Sequence, residues 1–257
     1  MDPYIGITDF MTWSQVQAML RVFQRELPLG SPYQLHVGVM MSRKSLRGLP
    51  TKWAGAFPAK ENIADIFNSS VAYNCLHYAD GSKVADSNLD DHLIAAIDYG
   101  GPGINALQLD LAWPDPAQVA RALRQSYQRI EVVLQIGQRA FDEVRGDIPE
   151  VLRRLEAYDG IIRRVLLDKS MGRGLGMDAV GLLPVARAIR KRFPTLGIGA
   201  AGGLGPSTMH LIEPLAKEFS DLSIDAQGRL RPSGSALDPI DWTLAEQYLT
   251  SALQLLG

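Results

Sequence analysis

The chain has 257 residues, 46% of them apolar, and a formal net charge of -2. That length supports one large core or two small ones, and the near-neutral balance leaves no electrostatic footprint for nucleic acid or an anionic membrane surface. A lone cysteine, Cys75, excludes an internal disulfide and fits a reducing compartment. The N-terminus, MDPYIGITDF, has no basic segment followed by an apolar one, and no uncharged apolar run approaches the ~18 residues of a spanning helix. A cytoplasmic protein with no membrane or nucleic-acid partner is expected.

In chain order, the first strand is read at YIGIT (4–8), followed by a helix over 12–27 with Thr12 as its cap. LHVGVMM (35–41) is the second strand. The stretch 42–62 is irregular, carries four Lys and Arg before residue 53, and is long enough to be a functional loop. VAYNCLHYA (71–79) is the third strand, and DSNLDDH (86–92) reads as a solvated acidic loop and helix cap. NALQLDLA (105–112) is the fourth strand, and Asp115 then Pro116 open a helix over 115–129. EVVLQIG (131–137), a helix over 148–158 and RVLLDK (164–169) come next. A helix over 177–193, LGIGAAGG (196–203), a helix over 207–219, DLSID (221–225) and a last helix over 238–256 complete the chain. Pro184 and Pro214 mark a helix start or kink.

The strands are short, rich in Val, Ile and Leu, and apolar on both faces, as in a parallel sheet covered by helices. Strand and helix alternate about eight times along one chain, the order and length of a closed (β/α)8 TIM barrel. An open doubly wound sheet fits less well, because the dinucleotide fingerprint is missing after the first strand. No linker divides the chain, so residues 1–257 are read as a single domain.

In such barrels the chemistry sits at the carboxyl ends of the strands. Asp168 ends the sixth strand, in VLLDKSMGRGLGMD (165–178). If it faces the axis, so does Leu166, while Leu167 and Lys169 face the helices. That orientation argues against Lys169 as a Schiff-base lysine. A carboxyl group there is partly desolvated, which suits it to proton transfer. The other reading pairs Asp168 with Arg173 or makes it a helix cap. Gly172, Gly174 and Gly176 permit close approach to an anion. Gly202 and Gly203 follow the seventh strand, Ser207 is placed to cap the next helix, and Gly228 follows the eighth strand. Loops at those two places commonly hold a phosphate. Arg229 and Arg231 either assist or are solvated. His36, His77, His92 and His210 show no ligand spacing, so no metal site is read. Trp113 either stacks on a bound ring or packs under a loop.

Together these motifs resemble phosphoribosylanthranilate isomerase. IGIT (5–8), GVMMSRKSLRG (38–48), ALQLDLAWPDPAQVARAL (106–123), LLDKSMGRGLG (166–176) and AGGLGPSTM (201–209) follow the family's order over nearly the whole chain. The resemblance implies a cofactor-free Amadori isomerisation of a small phosphorylated sugar-like substrate by a monomer or homodimer. It makes Asp168 the general acid and Arg47 the anchor of a substrate carboxylate. Gly202 and Gly203 match its phosphate loop, while Gly174 and Gly228 are read as substrate contacts from their places in the loops after the sixth and eighth strands. The departures are specific. The family's first-strand cysteine base is Ile5, its fourth-strand histidine is Asp110, and the lysine of its glycine loop is Met177. A missing acid–base group is worth ~10²–10⁴ in rate.

Three explanations compete. The base has moved to Asp110, Asp9, His77 or Cys75, with Asp110 best placed because it shares a strand face with Gln108. The substrate is a different phosphosugar, handled by a lyase or synthase. Or the barrel binds a phosphorylated metabolite as a regulator without turning it over.

Overall fold

Every one of the eight short apolar runs forms a strand, and the eight close on themselves. The computed structural model describes residues 2–80, 86–168, 177–235 and 237–257. The strands are β1 (Tyr4–Thr8), β2 (Gln34–Ser42), β3 (Tyr73–Ala79), β4 (Ala106–Asp110), β5 (Glu131–Gly137), β6 (Arg164–Asp168), β7 (Gly197–Ala201) and β8 (Ser223–Ala226). They pair in parallel in sequence order, with β8 returning to β1, so the sheet is a closed barrel. The expected TIM barrel is the fold.

The connecting helices are α1 (Trp13–Glu26), α2 (Arg43–Leu46), α3 (Ile63–Ile66), α4 (Leu89–Gly100), α5 (Pro116–Gln125), α6 (Gln138–Glu143), α7 (Ile148–Glu156), α8 (Ala179–Arg192), α9 (Glu213–Ala216) and α10 (Trp242–Leu256). Thr12 and Gln15 form a reciprocal cap on α1, and Asp115 and Asp241 accept from the first amides of α5 and α10. None of these helices, among the described residues, is long and apolar enough to cross a membrane.

DSNLDDH is the exposed turn and helix start expected: Ser87 and Asn88 are exposed, Asn88 is the N-cap position, and Asp90 and Asp91 lie at the positive end of the α4 dipole. Two local expectations are corrected. Residues 207–219 are not one helix. A 3₁₀ segment over Pro206–Ile212 precedes α9, because Pro214 has no N–H to continue the ladder, and Ser207 makes no cap bond. Pro184 lies inside α8 rather than at its start. The carbonyl it leaves without an N–H partner belongs to Val180, which is 70% exposed.

Strand alternation divides the interior in two. Ile5, Ile7, Leu35, Leu76, Leu107 and Leu134 point outward and join the helices in the main core. Cys75, Ala106, Val133, Leu166 and Ala201 face the axis and form a small core of their own. Below them Tyr4 stacks on His36 at 4.5 Å and on Tyr73 at 5.5 Å. The Arg164 guanidinium lies 4.8 Å from the Tyr4 ring centroid and donates to Ser223 Oγ at 2.5 Å. This stack closes the amino-terminal end of the barrel. The site lies at the other end.

Candidate active site

A cavity of about 1090 Å³ opens at the carboxyl ends of the strands. Its floor is made by inward-facing residues one pleat above the small core. Gln108 Nε2 donates to Gln135 Oε1 at 3.0 Å and lies 2.6 Å from His77 Nε2. His77 Nε2 is 3.0 Å from the same Gln135 oxygen. Gln135 Nε2 donates in turn to Asp168 Oδ2 at 3.3 Å. The register explains the convergence: His77 pairs with Gln108 across β3 and β4, and Gly137 pairs with Asp168 across β5 and β6.

Asp110 lines the cavity beside this row. It is reached by solvent from the mouth, yet protein surrounds it on the other sides. Desolvation pushes its carboxyl above the ordinary aspartate range, His77 opposes the shift, and the charge of Asp168 adds to it. A third carboxyl, Asp225, is 4% exposed and also lines the cavity. Desolvation lifts it to about 6 against the opposing effects of His77 and the Thr8 hydroxyl. Thr8 Oγ1 lies 3.0 and 2.8 Å from its two oxygens.

The walls differ from the floor. The β7 loop contributes Gly202 and Gly203, with φ of 102° and 70°, backbone that glycine adopts without strain. The β8 loop contributes Gly228 and Arg229. The facing wall, after β2, carries Arg43, Lys44 and Lys52. The cavity is therefore acidic at its base and cationic around its rim, a pattern that draws in an anion and presents its uncharged part to carboxyl groups. Among the described residues no group of three or more His, Cys, Asp or Glu converges to hold a metal ion.

The structure brings Asp110, Asp168, Gly202, Gly203 and Gly228 to one cavity. Arg47 is not part of it: it is exposed at the carboxyl end of α2, and Arg43 and Lys44 of the same loop line the cavity instead. Gly174 lies outside the described residues, as do Gly172, Arg173, Lys169 and Gly176. Ile5 points into the outer core, away from the axis. Cys75 is buried in the inner core, its thiol pushed up by burial, and is no base. Asp9 is occupied by Arg231, which is buried rather than solvated. Trp113 is not in the cavity lining and packs on helices instead, donating from Nε1 to the Ala140 carbonyl of α6 at 3.0 Å with the Arg154 guanidinium of α7 5.3 Å from its ring centroid. Sequence reasoning passed over Asp225 and Gln135. The available signal was the acid ending LSID (222–225), placed as Asp168 is in RVLLD (164–168).

Neither a protein-family model nor a curated protein sequence matches the chain. Solved structures do match in fold. One is a phosphonopyruvate hydrolase complexed with oxalate and magnesium, at 11% identity and a TM-score of 0.52, over 87% of this chain and 75% of that one. Another is the carboxyl transferase domain of Rhizobium etli pyruvate carboxylase with pyruvate, at 14% identity and a TM-score of 0.57, over all of this chain. The chain spans about half the length of that second structure, 48% of it. At such identities the likeness is one of fold.

These findings overturn the resemblance to phosphoribosylanthranilate isomerase and the isomerase activity it implied. No model of that family matches, and the barrels named here are a hydrolase and a carboxyl transferase. The physical reason lies in the motifs. Glycine-bearing turns after the seventh and eighth strands and an acid at a strand end serve many barrels with an anion-binding mouth. The features that would have been specific, a first-strand cysteine base and Arg47 in the cavity, are absent or misplaced here.

Proposed function

We propose that this barrel is a lyase that breaks a carbon–carbon bond next to a carbonyl group in a small phosphorylated substrate. The observation that carries the reading is the placement of Asp110 and Asp168 in one cavity, on β4 and β6, with the His77–Gln108–Gln135 row as its floor. The phosphate is assigned to the Gly202–Gly203 and Gly228–Arg229 backbone. The two structural neighbours lend support, since phosphonopyruvate and pyruvate are both 2-oxo acids.

The chemistry needs two proton transfers. Asp168, already an acceptor toward Gln135, takes the proton of a substrate hydroxyl. The carbon–carbon bond beside that hydroxyl breaks, the oxygen becomes a carbonyl, and the bonding pair moves into the neighbouring carbonyl as an enolate. His77, which lines the cavity, is the donor assigned to the enolate oxygen, held in place by Gln108 and Gln135. Asp110, whose carboxyl is pushed toward its protonated form, returns a proton to the carbanion carbon. No step passes through a metal or an organic cofactor.

The test is a panel of phosphorylated hydroxy-ketones and hydroxy-2-oxo acids, with aldehyde release followed by proton NMR. Asp168→Asn and Asp110→Asn should each lower turnover by ~10²–10⁴ while inorganic phosphate still binds. Phosphate binding without cleavage of any member would instead make the barrel a phosphometabolite-binding protein.

A further inference from the structure

Asp9 and Arg231 form an ion pair at the carboxyl ends of β1 and β8, with side chains 2% and 1% exposed. The Arg231 guanidinium reaches three acceptors. Beyond Asp9 Oδ2, Nη1 donates to the Gln227 carbonyl at 2.7 Å and Nε to the Asp238 carbonyl at 2.5 Å. Those two carbonyls stand at the two ends of the segment 227–238, so the guanidinium staples that loop closed. Gln227 Nε2 completes the knot, donating to both Asp9 oxygens at 3.1 and 3.0 Å. Asp9 itself has φ of 91°, a region costly for a side chain other than glycine. Its N–H donates to the Gly38 carbonyl at 3.0 Å. Such backbone persists where its surroundings over-determine it.

The stapled loop carries Gly228, Arg229 and Gly234 on the cavity surface. It is wedged against the β7 loop: a Cβ at Gly205 would sit 2.7 Å from Arg229 Cβ. Thr208 Oγ1, donating to the Gly203 carbonyl at 2.7 Å, ties the far side of that second loop to its glycines. One connected set of contacts therefore runs from the end of β1, through Arg231, to both glycine-bearing loops. Buried ion pairs contribute little net stability against apolar replacements of the same volume. Stability alone therefore gives no reason for a pair this deep.

We propose that the Asp9–Arg231 pair is a positioning device, which sets the β8 loop against the β7 loop so that their backbone presents an anion-binding wall. Neither residue touches the substrate. The inference rests on the anion-binding half of the proposed function.

Arg231→Lys is the primary variant, because lysine keeps the charge but cannot make three diverging planar bonds. Hydrogen exchange is measured for peptides covering 227–238, with inorganic phosphate titrated by calorimetry and folding checked by Tm. Exchange in that segment should rise at least ~tenfold while β3 to β6 are unchanged, and the phosphate Kd should weaken about tenfold. Asp9→Asn, which keeps the Gln227 contact and tolerates the backbone, should shift both readouts the same way, and it carries the test if Arg231→Lys does not fold. Unchanged exchange, or faster exchange with unchanged phosphate affinity, overturns the proposal. Failure of the unaltered protein to bind phosphate overturns the substrate class instead, and the exchange rates then judge the staple separately.

Discussion

Asp225 has one hydroxyl, from Thr8, to satisfy two buried carboxylate oxygens, and that shortage of donors lets desolvation lift it to about 6. His36 Nδ1 lies 3.9 Å from the carboxylate, too far for a hydrogen bond. Burial holds that imidazole neutral, with its pKa pulled down to about 3. The consequence for stability has a definite sign. In the unfolded chain the Asp225 carboxyl ionises near the ordinary 3.8, and in the fold near 6. Below the lower value both states are protonated and the fold bears no penalty. Above the higher value both are ionised and the fold bears the full desolvation cost, about 3 kcal/mol at most. Asp225→Asn should therefore match the unaltered protein near pH 3.5 and exceed it in Tm from pH 6 upward. Its amide oxygen can still accept from Thr8. Thermal melts across that range check this, and a pH-independent difference would mean that Asp225 carries no elevated ionisation.

At the scale of elements, the two ends of the barrel are tied by different means. At the carboxyl ends, loops are closed by charged side chains. At the amino-terminal end one amide does comparable work. Asn74, on the outward face of β3 beside Leu76, reaches the carbonyls of Phe67, Ser69 and Gly103 from Nδ2 at 3.3, 2.9 and 2.8 Å. Asn74→Ala leaves those buried acceptors short of a donor and should cost about 2–3 kcal/mol by urea denaturation. Gly103→Ala should cost about 3 kcal/mol through backbone displacement, because its Cβ would fall 1.9 Å from the Phe67 oxygen. Neither change should alter phosphate binding. The strands themselves were legible in the sequence, because a doubly covered parallel strand is an unbroken apolar run and 4–8 and 131–137 match β1 and β5 residue for residue. The segment after β7 was not. Its apolar spacing suits a helix, but Pro206 and Pro214 break the ladder and leave a 3₁₀ segment. The cavity was half legible. Alternation put Asp168 on the face of Leu166 and Asp110 on the face of Gln108, at the carboxyl ends of their strands, but the meeting of Gln135 with Gln108 and His77 depends on the stagger of β3, β4 and β5. Sequence spacing along one strand carries no record of that stagger.

Over the whole molecule, chemistry and stability are separated along the barrel axis. The amino-terminal plug is built on Arg164, 1% exposed, with no carboxylate partner within ion-pair distance among the described residues. Its charge is held by the Tyr4 ring, Ser223 Oγ and the Asp2 carbonyl, the last at 3.0 Å. Deleting the side chain removes the packing beneath Tyr4 and leaves a void at the foot of the inner core. Arg164→Ala should therefore cost about 3–5 kcal/mol, read as a lower urea midpoint with unchanged slope. The same variant should bind inorganic phosphate with an affinity within about twofold of the unaltered protein under conditions where both are folded, because among the described residues the contacts of Arg164 lie with Tyr4, Ser223 and Asp2 at the amino-terminal end. Asp110→Asn should show the converse: lost turnover, with stability at neutral pH equal or higher, since a carboxyl that desolvation holds above its ordinary range is replaced by a neutral amide. A drop in phosphate affinity for Arg164→Ala in the folded state would show that the plug transmits strain through the inner core to the mouth. The separation of the two ends would then fail. If both results hold, the plug serves only to keep the barrel closed while the opposite rim is free to set the substrate.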